Sequence, residues 1–118
     1  MPPTVADRVR HILEAIENIE RALAGKSREE FANDLLLRLA VERLLEVICE
    51  ASRYIPQDTK AEDPSIAWPK MVDFGNRLRH AYHRIDTDIV WEAVRNDLPP
   101  LKSFVERIIH NEEKSGPF

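Results

Sequence analysis

Residues 27–52 read SREEFANDLLLRLAVERLLEVICEAS, and this stretch decides the fold. Ser27 and Glu30 form the S-x-x-E box that satisfies free amides at a helix start, and no proline interrupts the chain from there to Pro56. The spacing predicts one long helix, the longest element of the chain. Its middle, Leu35-Leu36-Leu37 to Leu39-Ala40-Val41, is apolar on more than one face, which predicts burial from two sides. Leu44, Leu45, Ile48 and Ala51 then narrow to a single stripe. Upstream, Thr4 and Asp7 make a second capping box, and Val5, Val9, Ile12, Leu13, Ile16, Ile19 and Leu23 recur at steps of three and four until Gly25. A first helix over about 5–24 follows. Downstream, residues 56–67 (PQDTKAEDPSIA) have no period and read as a surface crossover. Pro69 suits the first turn of a third helix, whose stripe is Trp68, Met71, Val72, Leu78, Tyr82 and Ile85. Asp86 or Thr87 caps a fourth, which meets Pro99-Pro100 and resumes through Leu101, Phe104, Val105, Ile108 and Ile109. No stretch alternates at period two. The expected fold is an all-α, antiparallel four-helix bundle with the last helix broken at Pro99-Pro100. It forms a single domain over 1–118, with about 111–118 as a frayed polar tail.

Composition removes several functions. The 118 residues, 43% of them apolar, suffice for one core, and 17 basic against 21 acidic residues leave a net charge of −4, unlike a polybasic tail. Three glycines (Gly25, Gly75 and Gly116) cannot build a glycine-rich phosphate loop or a dinucleotide fingerprint. The lone Cys49 cannot form an internal disulfide, and no Cys/His cluster has zinc-ligand spacing, so neither a metal nor a cofactor is expected. Charges interrupt every apolar stretch, and the Met-Pro-Pro-Thr start lacks the basic-then-apolar order of an export signal. A soluble protein of a reducing cytoplasm, with no membrane partner, is the expectation.

Against this acidic background, Asn76-Arg77-Leu78-Arg79-His80-Ala81-Tyr82-His83-Arg84 holds three arginines and two histidines without one carboxylate. An anionic ligand needs such a patch, although a solvated helix face paired with acids elsewhere is the ordinary alternative. On a helix, Asp73, Asn76, Arg77, His83 and Arg84 all fall within about 60° of His80. Histidine exchanges a proton near neutrality, and neighbouring arginines hold a phosphodiester. The combination suits RNA cleavage, in which a base removes the 2′-hydroxyl proton, the oxygen attacks the adjacent phosphate, and arginine stabilises the charge that develops.

Three blocks in order resemble the HepT-like toxins of the HEPN superfamily. They are Ala40-Val41-Glu42-Arg43-Leu44-Leu45-Glu46-Val47-Ile48-Cys49-Glu50-Ala51, then Trp68-Pro69 with Gly75-Asn76-Arg77-Leu78-Arg79-His80-Ala81-Tyr82, then Ile85-Asp86 with Ile89-Val90-Trp91 and Asp97-Leu98-Pro99. A small glycine is more usual in the family where Cys49 stands. The resemblance implies a HEPN-like bundle and a metal-independent RNase whose site lies at the interface of a homodimer. It also implies a toxin–antitoxin pairing with an MntA-type nucleotidyltransferase antitoxin. The family signature is Arg, four residues, His, one residue, Tyr. His80 and Tyr82 match its last two positions, whereas Gly75 stands at the first. Tyr82 is the position to which AMP attachment by the antitoxin carries over.

Arg79, one turn after Gly75 and about 40° around the axis, leans back toward the space a position-75 side chain would use. Two readings therefore stand. In the first, an endoribonuclease uses His80 as acid–base group and Arg79 on phosphate, with Asn76, Arg77, His83 and Arg84 contacting the RNA substrate. In the second, a catalytically impaired module binds nucleotide or docks to a nucleotidyltransferase partner, with Gly75 recording the lost arginine. His80 and the Gly75/Arg79 side diverge by 90° or more, so a second copy is expected to complete the site. The stripe Glu42, Glu46, Glu50 reads either as solvent-exposed or as facing the arginines of the third helix. Cys49 reads as a small buried hydrophobe, and Trp68 and Trp91 as packing residues. His11 and His110 lack companion ligands.

Overall fold

The computed structural model describes residues 4–80 and 85–114. Its elements are α1 (Val5–Leu23), α2 (Arg28–Ala32), α3 (Leu35–Ser52), α4 (Gln57–Lys60), α5 (Trp68–Arg79), α6 (Thr87–Glu92), a π-helical turn (Ala93–Asp97) and α7 (Leu98–Lys114). No strand occurs among the described residues. Both capping boxes form: Thr4 with Asp7 opens α1, and Ser27 with Glu30 opens α2. Gly25, at φ +74°, closes α1 in the left-handed region where a side chain is strained.

Four rods result: α1, α3, α5, and the run from α6 to α7. Helix α1 packs against α3 and α7, and α3 packs against α5. Contacts between opposite ends show the antiparallel pairings. Arg10 near the start of α1 pairs with Glu112 near the end of α7, at 3.1 Å, and Lys102 pairs with Glu20, at 2.9 Å. Arg8 likewise lies over Tyr54, just beyond the end of α3. Val9, Ile12, Ile16 and Ile19 of α1 meet Val41, Leu45 and Ile48 of α3 and Leu101, Phe104 and Val105 of α7 in one core. Trp68 packs edge-on against Phe104, with ring centres 5.2 Å apart, and Trp91 packs against Phe31, at 5.6 Å.

The structure corrects the sequence reading in several places. The long second helix is split, because Asn33 ends α2 and Asp34 starts α3 by accepting a hydrogen bond from the Leu37 amide at 3.1 Å. That restart makes α1 the longest helix and sets the phase of α3, turning Val41, Leu45 and Ile48 toward α1. Leu35, Leu36 and Leu39 are consequently on the surface, at 56%, 77% and 51% exposure, and not buried from two sides; α5 covers only the C-terminal part of α3. Arg38, on the core side of the same turn, is buried instead. The crossover at 56–67 contains the short helix α4.

At the fourth rod the disruption lies just before the two prolines. Pro99 and Pro100 lack the amides that would bond back to Arg95 and Asn96, and the chain widens there into the π turn Ala93–Asp97 before α7 begins at Leu98. Helix α7 continues to Lys114.

Candidate functional site

Helix α5 begins with Trp68 and Pro69, whose missing amide is harmless in the first turn. It ends at Arg79, and His80 is its C-cap, with φ −107° and its amide donating to Asn76 O at 3.1 Å. The third helix is thus shorter than expected. His80 stands exposed at its end, where the backbone leaves the helical path. Tyr82, His83 and Arg84 lie outside the described residues, as does any helical angle that relates them to His80.

Gly75 is the buried residue of α5 and marks its crossing with α3. A Cβ there would lie 2.7 Å from Cys49 Cβ and 3.5 Å from its sulfur. No side chain fits at position 75 while Cys49 stands opposite, so an arginine stem is excluded by packing. Arg79, one turn on, crosses toward the same helix. It donates from Nη2 to Glu50 Oε2 at 2.7 Å and from Nη1 to Asn76 Oδ1 at 3.5 Å. Its side chain keeps 35% exposure, so the guanidinium is held but still open to solvent. Of the acidic stripe, Glu50 faces an α5 arginine. Glu46 instead pairs with Arg43 of its own helix at 3.3 Å, and burial holds the half-buried Glu42 carboxyl above its usual range.

Arg77 and Arg79 lie about 200° apart around α5. Arg77 lines a mainly apolar cleft of about 530 Å³ whose walls include Leu45, Ile48, Phe74 and Leu101. Arg79 opens on the other side, onto a groove of about 340 Å³ between α1 and α3. The structure therefore brings Arg79 and Asn76 together beside His80 and puts Arg77 elsewhere. Arg8, Arg43, Arg53 and Tyr54, which frame the second groove, escaped the sequence reading. Arg8 and His11 share an i, i+3 face of α1, but only the α1–α3 packing joins that face to α3.

Cys49 is buried and its thiol is pushed up to about 11 from 9.0, because burial disfavours the thiolate; Arg79 opposes this more weakly. Such a thiol packs and does not react. A folded-state value above the unfolded one stabilises the fold fully below about pH 9, and that contribution disappears as pH rises toward 11. The stability lead of the natural protein over Cys49→Ala should therefore shrink across this window. Thermal melts at pH 8 and pH 11 measure it, and a constant difference would refute the ionisation.

Among the described residues no three His, Cys, Asp or Glu side chains gather as a metal would require. A family model described as "Ribonuclease HepT-like" matches residues 12–108. The chain belongs to this family. Among its HepT-like relatives, "Probable ribonuclease HepT" of Thermococcus cleftensis is 39% identical over 102 residues, covering 86% of this chain and 93% of that one. "Putative RNase MJ1380" of Methanocaldococcus jannaschii is 39% identical over 95 residues, or 80% and 87% of the two chains. A longer protein of the same organism, "Gamma-glutamylcyclotransferase and putative RNase MJ0434", is 31% identical, with 91% of this chain aligned to 48% of its length. No solved structure matches. Within the HepT-like motif, Gly75 and Cys49 now read together. Cys49 fills the room that a side chain at position 75 would need, and a glycine in its place would remove the obstructing Cβ.

Proposed function

We propose that this chain is a metal-independent endoribonuclease that acts as the toxin of a toxin–antitoxin pair. Membership of a ribonuclease family supports the RNase reading, and the observation that carries it to this chain is Arg79. A guanidinium sits one turn beyond the empty motif position, held by Glu50 and Asn76 and adjoining His80. His80 takes the proton from the 2′-hydroxyl, whose oxygen bonds to the adjacent phosphorus. The bond to the 5′-oxygen breaks, that oxygen leaves with a proton passed on through solvent from the His80 imidazolium, and a 2′,3′-cyclic phosphate remains. Arg79 neutralises the charge that gathers on the phosphorus oxygens. Asn76 contacts the same phosphate, and Arg77, His83 and Arg84 meet other parts of the RNA. A second copy completes the site, and an MntA-type nucleotidyltransferase silences it by attaching AMP at Tyr82, where the added bulk and negative charge oppose the substrate.

One observation favours the second reading, a binding module without catalysis: the Glu50 carboxylate already occupies Arg79 at 2.7 Å. The test is incubation of a mixed RNA and a DNA of matching sequence with the purified protein in EDTA. Cut RNA with cyclic or 3′-phosphate ends and intact DNA support the nuclease. Intact RNA with an unmodified, partner-free protein favours the module. Light scattering on the same sample should give twice the chain mass, and a strict monomer would remove the shared site.

A further inference from the structure

We propose that the groove between α1 and α3 is a track for single-stranded RNA, in which Arg8, Arg43 and Arg53 hold phosphates, Tyr54 stacks a base, and Arg79 joins the track to the cutting site. This rests on the ribonuclease reading and extends it to how the substrate is held.

Charge is the first reason. The chain as a whole carries −4, yet this groove gathers four arginines and His11 against only Glu46 and Glu50. Both carboxylates are in use: Glu46 by Arg43 at 3.3 Å, and Glu50 by Arg79 at 2.7 Å and Arg53 at 3.8 Å. Arg8 has no carboxylate partner among the described residues. Its guanidinium carbon lies 3.8 Å from the centre of the Tyr54 ring, an arrangement that fixes a cation without neutralising it. The excess of cations over carboxylates in the groove suits an anionic ligand.

Shape is the second reason. Tyr54 is 51% exposed even with Arg8 at 3.8 Å from its ring centre, so ring surface remains on which a base can stack. From Arg43 to Arg53 the groove follows α3 for about 15 Å, the length of roughly four stacked nucleotides. A basic groove with an aromatic platform is how single strands are held without sequence readout, and a duplex would keep its bases from Tyr54. Arg79 lines this groove and precedes His80, so a strand lying in it is led to the end of α5.

The test uses a fluorescein-labelled 12-nucleotide RNA with 2′-O-methyl groups, which lacks the attacking hydroxyl and so binds the natural protein uncut. Fluorescence anisotropy is followed from low to high salt. Arg8→Gln and Arg43→Gln should each weaken binding about three- to tenfold, and each should flatten the plot of log affinity against log salt by about 0.7. Tyr54→Ala should weaken it about tenfold, while Tyr54→Phe, which keeps the ring, stays within about twofold. Circular dichroism melts check that each variant folds. Unchanged affinity and salt slope in folded Arg8→Gln and Arg43→Gln would overturn the track; with natural RNA still cut, the ribonuclease reading would survive. A protein that neither binds this probe nor cuts natural RNA would overturn both.

Discussion

Arg79→Ala lowers RNA cleavage by about a hundredfold to a thousandfold, the loss expected when one preorganised donor to a developing oxyanion is removed. Arg79 stands mostly on the surface and is paired with Glu50 by a contact that contributes little to stability, so the fold survives the change. The loss therefore appears in turnover, with melting temperature and particle mass unaltered. His80→Ala should fall by a comparable or larger factor, since positioned acid–base groups contribute about a hundredfold to ten-thousandfold. Arg79→Lys should recover only part of the rate, because an ammonium supplies charge without the planar fork. Initial rates on one RNA in EDTA decide the matter. Turnover by Arg79→Ala equal to that of the natural protein would discard the idea that this guanidinium replaces the motif arginine.

Glu50 enters the same experiment as a positioning residue. Its carboxylate holds Nη2 of Arg79, so Glu50→Gln should change how the guanidinium is aimed while leaving its charge in place. A rise in KM for RNA or a fall in kcat would each report on that aim, whereas His80→Ala acts on kcat alone.

The parts legible in the sequence are those set within a few residues. The capping boxes at Thr4 and Ser27, the proline at the start of α5, the Asp86 cap and the disruption near Pro99-Pro100 all depend on local donors, acceptors and ring geometry. Asn33-Asp34 defeated the reading because the absence of proline and glycine hid a cap between two helices. Once α3 restarts there, its phase decides which leucines face α1, and Leu35, Leu36 and Leu39 lose. Helical spacing puts Arg79 one turn after position 75, and the structure holds its guanidinium on Glu50 and Asn76. Spacing could not show that Cys49, twenty-six residues earlier, fills the space beside Gly75, or that Arg8 meets Tyr54 across the bundle. Contacts between helices carry the candidate site, and a single chain's periodicity does not encode which faces meet.

Gly75→Arg, which supplies the first residue of the Arg-x4-His-x-Tyr pattern that the sequence resembles, should damage this protein and not improve it. Its first side-chain carbon would lie 2.7 Å from Cys49 Cβ, and the atom it meets is fixed to the α3 backbone, so a helix must move. Overpacking of this kind costs about 1–3 kcal/mol, and an arginine stem that must also escape the core costs more. The melting temperature should drop by several degrees for each kcal/mol. Cys49→Gly in the same chain removes the obstructing carbon. The double variant should therefore be more stable than the two single losses added together, with a coupling of about 1–3 kcal/mol. It also tests the mechanism, because an arginine admitted at position 75 should keep cleavage alive when Arg79→Ala is added as a third change. Strictly additive losses would mean that the two positions do not share one space. Coupled stability without rescued cleavage would mean that the space is shared but that Arg79 does not stand in for the motif residue.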